Sequence, residues 1–359
     1  MSVFYNLDIL ERTTIMIEYN VGIIGAGWIA GVIADMLQNL NGICAYAIAS
    51  RDEEKAKKFA EEHKVEKYYG SYEELLADEE VEMVYIATVN SNHAELAKMC
   101  IDAGKPVFVE KPISYNAKTT EDLLKYAEEK GIFCGEAMWL RYNPLMNLVV
   151  DQLKKHIIGD VRSVTANIGY NLAGRERLLK PELAGGALLD LGIYPITAVF
   201  MIMGGPPTNV VAEPMITTTG VDAYSTIYMR YPQGRAALVT NTMTTNLDNK
   251  IIIYGTHGRI EIDNVNNPKL VTIYGSDGKS RGEMKPQNNE YTGYEYEFKA
   301  AREAAIVGKK ETKEYSVADT IELYHFTDAI RYTWNLPFPL PEEPEKKTKE
   351  QNGPDTANV

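Results

Sequence analysis

From about residue 19 to residue 137, short runs of consecutive apolar residues alternate with longer segments whose apolar positions recur every three or four residues. The short runs read as strands covered on both faces, the longer segments as amphipathic helices. The pattern predicts strands over 21–25, 43–50, 67–69, 82–88, 107–110 and 132–137. Helices fall between them: one opening at Trp28, one over 52–63, one over 71–77, one opening at His93 and one over 120–130. Ser71 with Glu74, and Asn92 with Glu95, have the spacing of an N-cap residue and its partner three positions on. Repeated strand–helix alternation of this kind builds a parallel, doubly wound sheet.

After Trp139 the pattern changes. Longer, partly alternating runs over 161–170, 223–231, 235–243, 250–254, 259–262 and 270–274 follow one another with few helices between them. Gly255-Thr256-His257-Gly258 and Ser276-Asp277-Gly278 read as hairpin turns. This is the signature of a second domain built on an open, mainly antiparallel sheet, closed by helices over 293–307 and 317–334, the latter opening on Ser316 and Asp319. The expected layout is an N-terminal arm (1–18), a doubly wound α/β domain (19–136), a second domain on the antiparallel sheet (137–340) and a Glu-, Lys- and Pro-rich tail (341–359). Strands 223–231 and 235–243 carry apolar or aromatic residues on both faces, which predicts a homodimer or homotetramer joined through this sheet.

Composition narrows the partners. The 359 residues, 45% apolar and 24% charged, are enough for two packed cores. A net charge of −13, with no Lys/Arg cluster free of interleaved acids, argues against nucleic acid and for a small molecule. Cys44, Cys100 and Cys134 lack CxxC spacing and read as reduced core thiols; the five histidines lack HxxxH or HxH spacing, so no metal site is expected. The sequence shows no run of eighteen apolar residues, and its first twenty residues lack the build of a signal peptide, so the expectation is a cytoplasmic protein without membrane contact.

The strand over 21–25 runs into Gly25-Ala26-Gly27-Trp28-Ile29-Ala30 and then a helix. In that setting Gly25 permits a tight turn, Gly27 lets the backbone approach a pyrophosphate, and Ala30 lets helix and strand pack closely. The second strand ends on Ser50-Arg51 rather than on an acidic residue. A hydroxyl beside a guanidinium suits a ribose 2′-phosphate, so NADP is predicted, with NAD possible.

Two further motifs carry chemistry. Glu110-Lys111-Pro112 ends a buried strand, which brings Lys111 out at the carboxyl edge of the sheet where such folds bind ligands. Asp190 and Tyr194 stand four apart after a glycine pair, on one face of a helix. An ammonium beside Tyr194 would favour phenolate and lower the phenol pKa toward the working range.

Together these segments resemble the family of glucose–fructose oxidoreductases, inositol dehydrogenases and their relatives (Gfo/Idh/MocA). The likeness runs from about Asn20 to Pro339 and rests on residues 21–27, on Thr88-Val89-Asn90-Ser91-Asn92-His93, on Glu110-Lys111-Pro112 and on Gly185-Gly186-Ala187-Leu188-Leu189-Asp190. Glu136-Ala137-Met138-Trp139, followed by Arg141 and the Gly192-Ile193-Tyr194 ending, resemble the dimeric dihydrodiol dehydrogenases and NADP-dependent D-xylose dehydrogenases within it. Many members carry His in place of Tyr194, and Val89 stands where proline is frequent. The resemblance implies an N-terminal Rossmann domain, a C-terminal α/β domain, a Lys-Pro peptide that is often cis, and Lys111, Asp190 and Tyr194 as the catalytic group. It implies cofactor contacts from Gly25, Gly27, Trp28 and Ile29 in the loop, and from Ser50 and Arg51. Thr88, Asn90, His93, Glu110 near the nicotinamide side, Lys111, Trp139 and Arg141 complete the implied set.

The activity this implies is NADP(H)-dependent hydride transfer between nicotinamide and a carbinol or carbonyl carbon of a sugar, polyol or vicinal diol. Two other functions stay open from sequence: a non-catalytic dinucleotide-binding sensor or regulator, and an NAD-assisted glycosidase of the same fold.

Overall fold

The structure, a computed structural model, describes residues 18–172, 174–287 and 291–336, so all but Glu18 of the expected arm, and the whole expected tail, lie outside it. Five of the six residues of β1 (Tyr19–Ile24) are buried, which a strand reaches only when helices cover both faces of its sheet. Around it the chain alternates through α1 (Trp28–Leu37), β2 (Ile43–Ala49), α2 (Glu53–His63), β3 (Lys67–Tyr69) and α3 (Tyr72–Ala77). It continues through β4 (Met83–Ile86), α4 (His93–Asp102), β5 (Val107–Glu110), α5 (Ala117–Lys130) and β6 (Cys134–Ala137). The strands lie in the order β3-β2-β1-β4-β5-β6 and every pairing is parallel. Succession reverses between β1 and β4, so the crevice for a ligand opens at their carboxyl ends.

Capping explains where the helices begin. Helix α5 starts three residues before the pattern predicts because Asn116 Oδ1 accepts the Thr119 N–H at 2.7 Å. Ser71 caps α3 by accepting the Glu74 N–H at 3.2 Å. Asn92 does not cap α4: it ends a 3₁₀ turn over Asn90–Asn92, already in helical conformation, and makes no side-chain cap bond.

Beyond β6 come α6 (Trp139–Tyr142), α7 (Pro144–Lys154), β7 (Val161–Gly169), a π-helical turn over Leu188–Gly192 and α8 (Ile193–Met203). Then follow β8 (Asn209–Ile216), β9 (Asp222–Arg230), β10 (Ala236–Thr242), β11 (Ile251–Gly255), β12 (Gly258–Ile262), β13 (Val271–Gly275), β14 (Ser280–Met284), α9 (Glu295–Ile306) and α10 (Val317–Thr333). The second sheet runs β14-β13-β12-β11-β7-β10-β9-β8, with β7 and β10 parallel and the other six pairings antiparallel. Sequence patterning missed its two edge strands: β14 is polar and largely exposed, and the inner face of β8 is only half-buried, at Val210, Ala212 and Pro214.

Helix α8 has ten of its eleven residues buried and packs on β7, β10 and α10. The stretch Pro181–Met203, though interrupted by Glu182 and Asp190, has the length and mean hydropathy of a membrane span. Here 89% of its most apolar window is buried inside the protein, where an all-round apolar helix serves as core. Helix α10 opens on a Ser316/Asp319 capping box and packs against both α5 and α8, joining the two sheet systems around one contiguous core.

Candidate active site

The residues at the ends of β1, β2, β4 and β5 meet segments following β7 and the π-turn in a cleft of about 640 Å³. At its cofactor end Gly25 has φ +105°, and a Cβ there would stand 2.8 Å from the Ala87 carbonyl oxygen, so no side chain is admitted. A Cβ on Gly27 would meet only that oxygen, at 3.8 Å, which leaves a bare backbone facing the cleft. Gly27 opens α1 without a side-chain cap bond. The first N–H groups of the helix are therefore left for an anion, and the loop fits a dinucleotide pyrophosphate. Trp28 is 70% exposed and, with Ile29, lines the same end.

At the end of β2, Ser50 and Arg51 line the cleft together with Lys55, one helical turn on. Asp52, the nearest carboxylate in sequence, caps α2 by accepting the Lys55 N–H at 3.1 Å and is not among the lining residues. Thr88, Asn90 and His93 form the part that follows β4. Asn90 Nδ2 donates to the Ala184 carbonyl at 3.3 Å. His93 is almost fully buried, with Nδ1 2.8 Å from the Pro112 oxygen and Nε2 3.2 Å from the Thr88 oxygen. Its polar atoms thus address the backbone, and burial lowers its pKa against the pull of those two carbonyls.

Trp139 lines the cleft, stacked on Tyr294 at 4.1 Å between ring centroids and 12° between planes. Arg141 does not reach it: the guanidinium leaves α6 in the other direction, pairing with Asp319 at 2.5 Å and lying 4.7 Å from the Tyr315 ring centroid. The implied cofactor contact from Arg141 is therefore replaced by a tie between α6 and the first turn of α10.

The catalytic candidates come together. The Lys111–Pro112 peptide is cis, and Lys111 Nζ donates to the Asp190 carbonyl at 2.7 Å with Asp190 Oδ1 3.6 Å away. Arg177 Nη1 holds the same Oδ1 at 3.0 Å. Burial would raise the Asp190 pKa, but Lys111 and Arg177 outweigh it and hold the carboxyl below its ordinary value. The backbone arrives here through a wide turn, in which the Ile193 N–H bonds the Leu188 carbonyl five residues back, rather than through the regular helix that the four-residue spacing implies. Asp190 and Tyr194 both line the cleft.

Tyr194 differs from the expectation that the lysine lowers its pKa. The ammonium lies 5.0 Å from the ring centroid and directs its bonds to Asp190. Burial first, and then the negative field of Glu110 and its neighbours, raise the phenol well above its ordinary value. Tyr194 is therefore a protonated phenol at neutral pH. Glu110 accepts the Tyr85 hydroxyl at 2.5 Å and the Lys111 N–H at 3.1 Å, and burial pushes it up to about 7.

Sequence reading did not single out Lys55, Arg177, Tyr170, Arg175, Asn266 or Tyr294, which also line the cleft. Only Lys55 carried a signal, its four-residue spacing from Arg51; the others reach the site by tertiary folding alone.

A bare glycine turn at a helix N-terminus, opening on a buried lysine–aspartate pair and a phenol, defines a nicotinamide-dinucleotide-dependent oxidoreductase. The comparisons with known proteins agree, since residues 19–137 match the NAD-binding Rossmann fold of the GFO/IDH/MocA oxidoreductase family and residues 148–261 match the C-terminal domain of that family. The chain belongs to this family. It is 34% identical over 306 residues to a trans-1,2-dihydrobenzene-1,2-diol dehydrogenase of Xenopus tropicalis, covering 83% of this chain and 93% of that one. With the Sus scrofa enzyme of the same name it shares 33% over 326 residues, 89% of this chain and 97% of the other. Among solved structures, a 3-ketoreductase from Actinomadura kijaniata in complex with NADP and TDP-benzene superposes with a TM-score of 0.79 at 26% identity, covering 88% of this chain and 97% of that one. An aldose–aldose oxidoreductase from Caulobacter crescentus shares the fold, with a TM-score of 0.80 at 21% identity over 89% and 98% of the two chains.

Proposed function

We propose that this oxidoreductase prefers NADP(H) and moves hydride between nicotinamide and a carbinol or carbonyl carbon of a sugar, polyol or vicinal diol. The observation that carries the reading is the convergence of Lys111, Asp190, Arg177 and Tyr194 in the cleft that also contains the bare glycine turn. The dinucleotide, when bound, supplies or accepts the hydride. Lys111, fixed by Asp190, offers its remaining N–H donors to the reacting oxygen and favours negative charge there. Tyr194, a phenol at neutral pH, gives that oxygen a proton in the reducing direction; in the oxidising direction the hydroxyl proton passes to it only in its phenolate form, the form that reduction leaves. Ser50, Arg51 and Lys55 suit a ribose 2′-phosphate, and the relatives' names support a diol or a ketone as substrate. The outward side chains of β8–β10 support pairing of two or more copies through the second sheet, and three unpaired cysteines suit the reducing cytoplasm.

The test is turnover of purified protein with NADP+ and NAD+ against a panel of aldoses, inositols and vicinal diols. Tight dinucleotide binding without turnover of any member would replace this reading by that of a sensor. Co-purified, non-exchanging NAD with glycoside hydrolysis would replace it by that of a glycosidase.

A further inference from the structure

The cations of the cleft divide into three groups. Arg51 and Lys55 follow β2 at the cofactor end, while Lys111 and Arg177 are both engaged by Asp190. The remaining lining cation, Arg175, lies in the segment after β7; no hydrogen bond or ion pair of its side chain occurs among the described residues. Its neighbour Glu176 is paired with Lys180 instead. Arg175 is exposed, so its guanidinium is free to meet an anion entering the cleft.

Two more polar groups belong to residues of the cleft lining. Trp139 Nε1 and Asn266 Oδ1 are buried without a hydrogen-bond partner among the described residues, and both residues line the cleft. The flat Trp139–Tyr294 stack lines the same cleft and offers a ring face to a bound molecule.

We propose that the substrate is an anionic polyol, a ring or chain of hydroxyls bearing a carboxylate or a phosphate, and that Arg175 is its anion-binding residue. This rests on the oxidoreductase reading above. The hydroxylated body lies against Tyr294, Trp139 and Asn266, and the anion is held by the fork of Arg175, which binds a carboxylate or a phosphate through paired N–H donors.

The experiment takes the NADP(H)-loaded enzyme and three matched probes for each sugar skeleton: the neutral aldose, the corresponding uronate and the terminal phosphate. Binding is read by calorimetry and turnover by nicotinamide absorbance. At least one acid is expected to bind about 10- to 100-fold more tightly than its neutral parent, the carboxylate and phosphate arms telling which anion is taken. Arg175→Gln should remove that advantage, leave the neutral parent within about twofold, and leave NADPH affinity unchanged. Neutral sugars that bind as well as both acids, or an Arg175→Gln variant that loses NADPH binding, would overturn the proposal while the oxidoreductase reading stands. Acids that bind through Arg175 but are not turned over would support the subsite and overturn the reaction assigned to it.

Discussion

At the scale of single residues, the chemistry rests on which proton each buried group keeps. Tyr194 is held as a phenol and Lys111 lies 5.0 Å from its ring, so removal of each should fail differently. Tyr194→Phe keeps the ring and removes the proton donor; turnover should fall about 10²–10⁴-fold while NADPH affinity, read by fluorescence titration, barely changes. Lys111→Met should also depress turnover, and the double variant should lose far less than the product of the two effects, because the groups act on one oxygen. Full additivity would place them in separate steps. At the other end, NADPH should bind more tightly than NADH, and Arg51→Ala should shrink that margin by about 1.5–3 kcal/mol; equal affinities in the unmodified protein would favour NAD.

Glu110 gives a residue-scale prediction about pH. Unfolded, it loses its proton near the ordinary value of 4.5, whereas in the fold burial delays the loss to about 7. Between those values the folded state binds more protons, so stability is greatest below the window and declines as pH rises through 7. The contribution is about 1–3 kcal/mol. Glu110→Gln should flatten that decline in melting temperature between pH 5 and 7.5. An unchanged slope would show that Glu110 is ionised throughout.

At the scale of elements, the π-turn is positioned by one carboxylate. Asp222 Oδ2 accepts the Leu188 N–H at 2.6 Å at the start of the turn, and a Cβ on Gly186 would stand 2.3 Å from Asp222 Oδ1. Gly186 also has φ +112°, which L side chains rarely adopt. Gly186→Ala should therefore displace Asp222 and cost about 2–4 kcal/mol in urea unfolding, with turnover falling because Asp190 moves. Wild-type stability in that variant would mean the turn is set by α8 alone.

The spacing of Asp190 and Tyr194 pointed to a shared face, yet the turn type was hidden, because a single π-turn over Leu188–Gly192 is too short to show a period of its own. A comparable limit applies to Arg141. The sequence places it two residues after Trp139, but the choice between the cleft and Asp319 depends on where α10 packs.

At the scale of the molecule, the outer face of the second sheet carries an exposed apolar row. Val211, Tyr228 and Leu238 are register neighbours across β8, β9 and β10, and are 54%, 40% and 41% exposed. Such a row favours sheet-to-sheet pairing of two copies. Light scattering at micromolar concentration should give a dimer or larger, and the double variant Tyr228→Glu, Leu238→Glu should shift it to monomer with NADPH binding retained, since the glycine turn lies in the other sheet. A wild-type monomer would remove the assembly.

The alternation of apolar runs and amphipathic segments by itself determined the parallel sheet, its glycine turn and the emergence of Lys111 at the sheet edge, because strand and helix periods and the steric needs of glycine are local properties of the chain. Only the tertiary structure decided that Arg177 and Lys111 both hold Asp190, that Tyr194 is a phenol, that Arg141 turns away and that Tyr294 stacks on Trp139. Each of these depends on the distance and burial of groups far apart in sequence, and electrostatic energies follow separation and dielectric in space rather than position along the chain.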